Sequence, residues 1–161
     1  MDDSKGEFHM SLKRLGSILA AGSAALLMGI SSAASASAAE PDYTEYAHVA
    51  GGSPPAAAYC ETVYYPNPNV AAGSACFEKY GDVFWVRDRN ADGHHVEMRA
   101  QMPSTGKKFR CHEGRGSSVG WQKCTGFSGK IPEHDKIFWW LAVYEGSESL
   151  NVSTVQEVAT T

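Results

Sequence analysis

A polar turn at Asp88–Gly93 carries the residue types best suited to holding a metal ion. Oxygen side chains stand at Asp88, Asn90 and Asp92 and are followed by a glycine, the order that opens an EF-hand calcium loop. The bidentate carboxylate that closes such a loop is missing, because Arg99 stands at the twelfth place. The flanking residues also predict strands rather than helices. We therefore expect a polar hairpin tip, with calcium binding as the weaker alternative and no effect of a chelator on melting.

Two arrangements could indicate catalysis. The segment Gly116–Gly120 matches the G-x-S-x-G pattern of serine hydrolases, which requires a following helix and then an acid and a histidine. The only later histidine, His134, directly precedes Asp135, and no helical segment follows, so a flexible loop is the better interpretation. Glu97 and Glu113 would form an acid pair only if the sheet brought them together. We expect no enzymatic activity.

The histidines are a third set of candidate ligands, here for zinc. A zinc site needs ligands at tight, recurring spacings, which these residues lack. His94 and His95 are successive residues of one predicted strand, so their side chains point to opposite faces. We therefore expect surface histidines, no metal ion and no cofactor. The residues considered are His94, His95, His112 and His134.

An apolar leader precedes these motifs. Lys13 and Arg14 are followed by an apolar run and then by a tract of small residues, which is the order of a secretory signal peptide. We expect residues 1–38 to be removed and the protein to be secreted, with Met10 as an alternative start. Cleavage after Ala36 and an uncleaved membrane anchor remain open as alternatives.

All four cysteines follow this leader. An even number of cysteines after an export signal predicts an oxidised, extracellular domain. Pairing in sequence order joins Cys60 to Cys76 and Cys111 to Cys124, and it closes two adjacent β-loops with the simplest geometry. The crossed pairings stay open at this point.

The charge pattern narrows the range of partners. The chain carries 14 Lys and Arg residues against 18 Asp and Glu residues, a net charge of −4, without a basic run. Such a surface argues against nucleic acid, and nothing resembles a polybasic membrane patch. We expect an extracellular polysaccharide or a secreted protein as partner, and the oligomeric state stays open.

The run Lys136–Tyr144 is apolar on both of its alternating faces. It predicts either a strand covered on both sides or an aromatic face that is open to a ligand. Covered core is the more conservative interpretation. If a face is open, its rings would be Trp85, Trp121, Trp140 and Tyr144, and aromatic side chains commonly line binding sites. On this basis we expect a non-catalytic binding module for a polysaccharide or another cell-surface component.

The alternative function is an inhibitor of an extracellular hydrolase. Its binding segment would be the loop Glu113–Lys123, which the second cysteine pair closes at its base and which carries Arg115 near its tip. A rigid, exposed loop loses little conformational entropy when it binds.

The elements that must position these residues are short runs of aromatic and β-branched residues between turn residues, which predict an all-β domain. The clearest run is His94–Met102, which alternates between an apolar and a polar face. The apolar face consists of Val96, Met98, Ala100 and Met102, and the polar face of His95, Glu97, Arg99 and Gln101. We expect one antiparallel β-sandwich of about seven strands over residues 59–161, after a flexible tether over residues 39–58. The predicted strands are Glu61–Tyr65, Ala75–Tyr80, Asp82–Asp88, His94–Met102, Lys107–His112, Trp121–Thr125, Lys136–Tyr144 and a weaker run, Leu150–Val158.

The segment Ala75–Tyr144 resembles a group of small secreted proteins from actinomycetes. The matching features are the YGD-x-FWV-x-D strand at Tyr80–Asp88, the ADG-H turn at Ala91–His94, the second cysteine pair and the aromatic strand around Phe138–Trp140. The resemblance implies a β fold and export, and it carries no catalytic residue over to this chain.

Overall fold

The computed structural model describes residues 40–65 and 67–161. The expected signal peptide, residues 1–38, lies outside this part of the chain. Within the described residues, none of the helical structure has the length and apolar character needed to cross a membrane. In chain order the elements are β1 (Tyr43–Tyr46), β2 (His48–Val49), β3 (Tyr59–Tyr64), β4 (Ala71–Glu78), β5 (Val83–Asp88), β6 (His95–Gln101), β7 (Lys108–His112), a 3-10 turn (Ser117–Val119), β8 (Gln122–Cys124), β9 (Lys136–Glu145), β10 (Glu148–Val152) and β11 (Gln156–Ala159).

The strands form two sheets that pack together as a sandwich. The six-stranded sheet has the order β1-β7-β6-β9-β10, and β11 also pairs with β9. The five-stranded sheet has the order β2-β8-β5-β4-β3. Neighbouring strands are antiparallel except β1 and β7, which run parallel. The all-β sandwich predicted from the sequence is therefore confirmed.

The core lies between the sheets and follows the alternation of the strands. In β6 the side chains of Val96, Met98 and Ala100 are buried in the core, while His95 and Glu97 point to the outer face. This is the alternation that the sequence predicts for the strand. The largest buried side chains are Trp139, Phe77, Phe84, Phe109 and Phe127.

Both predicted disulfides are confirmed, and they have different roles. Cys60–Cys76 joins the paired strands β3 and β4 within one sheet. Cys111–Cys124 joins β7 of one sheet to β8 of the other, and both of its residues are fully buried. Each crosslink restricts the unfolded chain and contributes about 3 kcal/mol to stability. The second one also fixes β7 against the opposite sheet.

The N-terminal segment differs from the tether predicted over residues 39–58. β1 lies within it and pairs with β7, and β2 pairs with β8. Tyr43 stacks on the core ring of Phe109 with 5.1 Å between centroids, and the Glu45 carboxylate accepts a hydrogen bond from the N–H of Gly126. These partners lie more than 60 residues further along the chain, so local composition does not reveal them.

The number of strands is also higher than expected. The described residues form eleven strands where about seven were predicted. Two of the additional strands are β1 and β2, and the weak run Leu150–Val158 divides into β10 and β11. A register shift between Ser149 and Asn151 bends the pairing of β10 with β9, after which β11 returns to pair with the first half of β9.

Candidate functional site

The outer face of the six-stranded sheet carries a row of polar side chains from β6 and β7. Antiparallel pairing places Glu97 opposite His112 and Arg99 opposite Arg110. On the other side of β6, His95 lies opposite Tyr144 of β9. Because residues two apart in a strand share a face, these pairs form one continuous surface. We call the six residues the polar face; they are His95, Glu97, Arg99, Arg110, His112 and Tyr144.

Glu97 lies at the centre of the polar face and is only 3% exposed. Its Oε2 accepts hydrogen bonds from Arg99, with Nη2 at 2.7 Å and Nε at 2.8 Å. Its Oε1 lies 3.0 Å from Nδ1 of His112 and 3.7 Å from Nε2 of His95. Burial alone raises the pKa of this carboxyl, but the hydrogen bonds from His112 and Arg99 outweigh burial and hold the pKa below its ordinary value.

The two arginines are placed less favourably than the carboxylate. Like charges directly opposite each other on neighbouring strands destabilise a sheet, and Arg99 and Arg110 are such a pair. Arg99 is satisfied by Glu97, whereas Arg110 approaches the same carboxylate only to 3.8 Å. Among the described residues, the buried Nε of Arg110 has no hydrogen-bond partner. The face therefore holds a guanidinium with unused hydrogen-bonding capacity.

Aromatic stacking organises the remaining members of the face. The rings of His95 and Tyr144 stack with centroids 5.4 Å apart, and the Arg99 guanidinium lies 5.0 Å from the centre of the Tyr144 ring. The rings of His95 and His112 are 4.5 Å apart. Burial lowers the pKa of His95, and the neighbouring His112 lowers it further. Burial likewise raises the pKa of Tyr144, so its hydroxyl keeps its proton.

A concave pocket of about 480 Å³ opens over the polar face. Its floor consists of the side chains just described. One wall comes from Glu40, Pro41 and Tyr46, which precede or belong to β1, and the other comes from the β9–β10 turn at Gly146 and Ser147. The segment that the sequence marks as a tether thus builds one side of the pocket.

The four aromatic residues predicted as a binding face are divided between the two sheets. Trp140 and Tyr144 lie on the outer face of the six-stranded sheet, and Tyr144 lines the pocket. Trp140 is half-buried beside Arg99, its register partner in β6. Trp85 and Trp121 pack together on the outer face of the five-stranded sheet. The structure therefore brings together two pairs rather than one aromatic platform.

Of the second pair, Trp85 is buried by the chain itself, whereas Trp121 is half-buried. Trp85 is 7% exposed and packs against Ala50 and the disulfide residue Cys76. Its indole N–H donates to Glu78 at 2.9 Å, and the Lys123 ammonium lies over its ring. Trp121 is held by its carbonyl, which accepts a hydrogen bond from the N–H of Ala50.

The turn at Asp88–Gly93 uses its polar side chains to hold its own backbone. Asp88 Oδ1 accepts from the N–H of Asn90 at 2.8 Å, and Asp92 Oδ1 accepts from the N–H of His94 at 3.0 Å. The other oxygen of Asp92 accepts from the hydroxyl of Tyr65. These contacts are typical of a polar turn, and calcium binding here stays a prediction to be tested.

The loop Glu113–Lys123 is anchored from within. Glu113 is fully buried, and its Oε1 accepts hydrogen bonds from the N–H groups of Arg115 and Gly116 and from the side chain of Gln122. Arg115 itself is exposed. The condition for an acid pair of Glu97 and Glu113 is not met, because the Glu113 carboxylate holds this loop while Glu97 faces the pocket. The G-x-S-x-G segment in the loop forms a 3-10 turn rather than a strand-to-helix elbow.

Arg99 and Arg110 were not predicted as site residues, and the histidines were predicted to be independent surface groups. The alternation of β6 did place His95, Glu97 and Arg99 on one polar face. The same alternation in β7 places Arg110 and His112 on one face. Pairing these two runs as a hairpin would have predicted that the five side chains lie on one surface.

No family model, curated protein or solved structure matches this chain. The resemblance to small secreted actinomycete proteins stays a prediction.

Proposed function

We propose that this protein is a secreted, non-catalytic binding module and that the pocket over the polar face binds an acidic saccharide. The ligand class is a sugar that carries a carboxylate, free or as part of an extracellular polysaccharide. Secretion is supported by the two disulfides, which persist in oxidising compartments. The leader predicted over residues 1–38 agrees with that compartment.

The observation that carries the proposal is the pairing of Arg99 with Arg110 under the pocket. One carboxylate, Glu97, serves both guanidiniums, and it forms hydrogen bonds with only one of them. A ligand carboxylate at Arg110 would relieve the repulsion between the arginines and supply hydrogen-bond acceptors in bidentate geometry. An acidic ligand therefore gains more at this site than a neutral one.

The rest of the pocket suits a sugar ring. Its volume, about 480 Å³, falls in the range of small-molecule sites. The exposed ring of Tyr46 supplies apolar surface in one wall, and Ser147 and Ser149 supply hydroxyl groups. Apolar surface with a few convergent polar groups is the usual composition of a site that fixes both the position and the orientation of its ligand.

Isothermal titration calorimetry with a glucuronic-acid oligosaccharide tests the proposal, with a glucose oligosaccharide as the neutral control. We expect binding of the acidic saccharide only. Arg110→Gln should weaken that binding about 10-fold or more, because a hydrogen bond to a charged group is lost. The matched control is Arg87→Gln, which changes an arginine on the outer face of the other sheet. Equal affinity for both saccharides, or equal loss in both variants, would contradict the proposal.

The second candidate function is inhibition of an extracellular hydrolase by the loop Glu113–Lys123. The observation that favours it is the buried Glu113 carboxylate, which fixes the loop backbone while Arg115 stays exposed. Such a loop is preorganised for binding. An inhibition assay against trypsin-like proteases tests this function, since Arg115 suits their acidic specificity pocket. Inhibition that is lost in Arg115→Ala and kept in Arg110→Gln would favour the inhibitor over the saccharide module.

A further inference from the structure

We propose that His95, Glu97 and His112 form a binding site for a divalent first-row transition metal ion, with zinc as the expected ion. The site requires the two imidazoles and Oε1 of the carboxylate. It does not depend on the saccharide proposal, which rests on the arginines. The inference therefore adds a metal site to the floor of the pocket.

The three ligand atoms already lie close together. One ligand atom from each of His95, Glu97 and His112 falls within 4.8 Å of the others. Oε1 of Glu97 is 3.0 Å from Nδ1 of His112 and 3.7 Å from Nε2 of His95. Zinc bonds of about 2.0–2.1 Å in a tetrahedral arrangement separate neighbouring ligand atoms by roughly 3.3 Å. Metal binding would replace the hydrogen bond between His112 and Glu97, with its proton released or moved to Nε2 of His112, and side-chain rotations would bring the ligand atoms to that spacing.

The backbone that carries the ligands is rigid. His95 and Glu97 are two residues apart in β6, and His112 is the register partner of Glu97 in β7. β6 is paired on both sides, with β7 and β9. A metal site on paired strands of this kind retains its ligand geometry better than a site on loops.

The carboxylate is oriented as a metal ligand requires. Arg99 engages Oε2 of Glu97 through two hydrogen bonds and leaves Oε1 directed toward the histidines. In metal sites, a hydrogen bond to the second oxygen of a ligating carboxylate fixes its orientation. Arg99 would therefore act as a positioning residue for the metal ligand.

Arg110 is the main electrostatic objection to a cation at this point. Its Nη1 lies 3.8 Å from Oε1 of Glu97, which is beyond hydrogen-bond distance, so metal binding would break no hydrogen bond of Arg110. Its guanidinium is partly exposed and can turn toward the pocket, where an anion would compensate it. The open side of the pocket would leave the remaining coordination positions to water or to a ligand.

The donor set favours particular ions. Two imidazoles with one carboxylate suit zinc, iron and nickel, whereas calcium and magnesium prefer a larger set of oxygen ligands. The sequence predicts that His94 and His95 cannot bind one metal ion, because successive residues of a strand face opposite ways. The second imidazole of the proposed site therefore comes from His112 of the neighbouring strand rather than from His94.

Cobalt titration of chelator-treated protein tests the metal site, because tetrahedral Co²⁺ absorbs visible light and reports directly on its ligands. We expect one equivalent of Co²⁺ to bind with intense visible absorption and to be displaced by Zn²⁺ but not by Mg²⁺. His95→Gln and His112→Gln should each lower the affinity for Co²⁺ by at least the ~10–100-fold typical of losing even a supporting residue. His134→Gln is the matched control and should bind normally.

The two proposals fail separately. Arg110→Gln should weaken saccharide binding about 10-fold or more and keep the cobalt spectrum and affinity, whereas His112→Gln should lower the affinity for Co²⁺. Melting curves show whether each variant is folded, and His95→Gln provides a second variant if His112→Gln is not. Absence of Co²⁺ binding to the wild-type protein overturns the metal site. Undiminished Co²⁺ binding in both His95→Gln and His112→Gln, or an equal loss of binding in His134→Gln, overturns the metal site as well.

Discussion

The outer faces of the two sheets show how the same strand alternation can lead to different surfaces. On the five-stranded sheet, Trp85 is buried against Ala50 and Cys76, and the half-buried Trp121 packs against the same cluster. On the six-stranded sheet, the corresponding surface is the polar face, and the chain encloses it only at its edges to form a pocket. Buried aromatic rings stabilise the fold, whereas the like-charged pair of Arg99 and Arg110 on the open face is unfavourable unless an anionic ligand binds beside it.

Two buried carboxylates, one associated with each sheet, also differ in the direction of their pKa shifts. Glu97, on the polar face, is surrounded by arginines and histidines, and its pKa is lowered. Asp82, in the β4–β5 turn of the other sheet, is 5% exposed, and its pKa is raised to about 6, first by burial and then by the charge of Glu133. The first carboxylate is therefore held ionised by its neighbours, while the second is destabilised when it ionises.

The largest expected effect concerns the covered face. Trp85→Ala should lower the free energy of unfolding by about 3–5 kcal/mol, because it empties a buried site in the central strand of the five-stranded sheet. Saccharide binding by the folded fraction should be unchanged. Trp140→Ala, on the half-buried surface beside the pocket, should cost less than half as much stability. Urea denaturation measures both, and a larger loss for Trp140→Ala would break the comparison between the two faces.

The next effect concerns the charge balance of the polar face. Glu97→Gln should destabilise the protein by about 2 kcal/mol, since it leaves Arg99 and Arg110 without a carboxylate; their partial exposure keeps the loss below that of a fully buried pair. The measurement is made with chelator present, so that bound metal does not contribute. Glu78→Gln is the control on the other face, where the amide oxygen can still accept from Trp85.

Saturating acidic saccharide should reduce the loss of stability caused by Glu97→Gln, because the ligand carboxylate then lies beside the arginines. A Glu97→Gln variant as stable as the wild type would mean that the arginine pair is not under electrostatic strain.

The smallest effect is a pH dependence from Asp82. The pKa of this carboxyl is about 6 in the folded state against 3.8 for the unfolded chain, so the folded state binds the proton more tightly. Its contribution to stability is therefore fully present below about pH 4, falls as the pH rises through 6, and is lost above that. We expect Asp82→Asn to flatten this decline and to be about 1–3 kcal/mol more stable than the wild type at pH 7.

Asn tolerates the positive φ of 54° at position 82, so the substitution introduces little backbone strain. Asp135→Asn is the control, because hydrogen bonds from Ser104 and from the N–H of Lys136 lower the pKa of that carboxyl. Thermal unfolding between pH 4 and pH 7 checks both variants. An unchanged decline in Asp82→Asn would assign the pH dependence to other groups.

The sequence predicted those parts of the fold that depend on local pattern. Strand β6 and its polar and apolar faces followed from alternation, and the two disulfides followed from the order of the cysteines. Strand β1 was not predicted, because it forms by pairing with β7, which places Tyr43 against Phe109. This contact between distant segments has no local sequence pattern.

The candidate site could be predicted from the sequence only in part. The sequence named Tyr144 and Trp140, which lie in or beside the pocket, together with Trp85 and Trp121, which lie on the other sheet. The polar face depends on the register that sets Glu97 against His112, and this register is fixed by the turn between β6 and β7. One residue of slip would send every β7 side chain to the opposite face, so the cluster could not be inferred from composition alone.

A ¹⁵N NMR titration of the protein with the glucuronic-acid oligosaccharide tests most directly whether the pocket over the polar face binds an acidic saccharide. The chain has four tryptophans, whose indole N–H signals report on both faces and the core. We expect saturable shifts for the indole of Trp140 and for the backbone of β6, β7 and the β9–β10 turn, with the indoles of Trp85, Trp121 and Trp139 unmoved. Shifts centred on Trp85 and Trp121, or no shifts at saturating ligand, would contradict it.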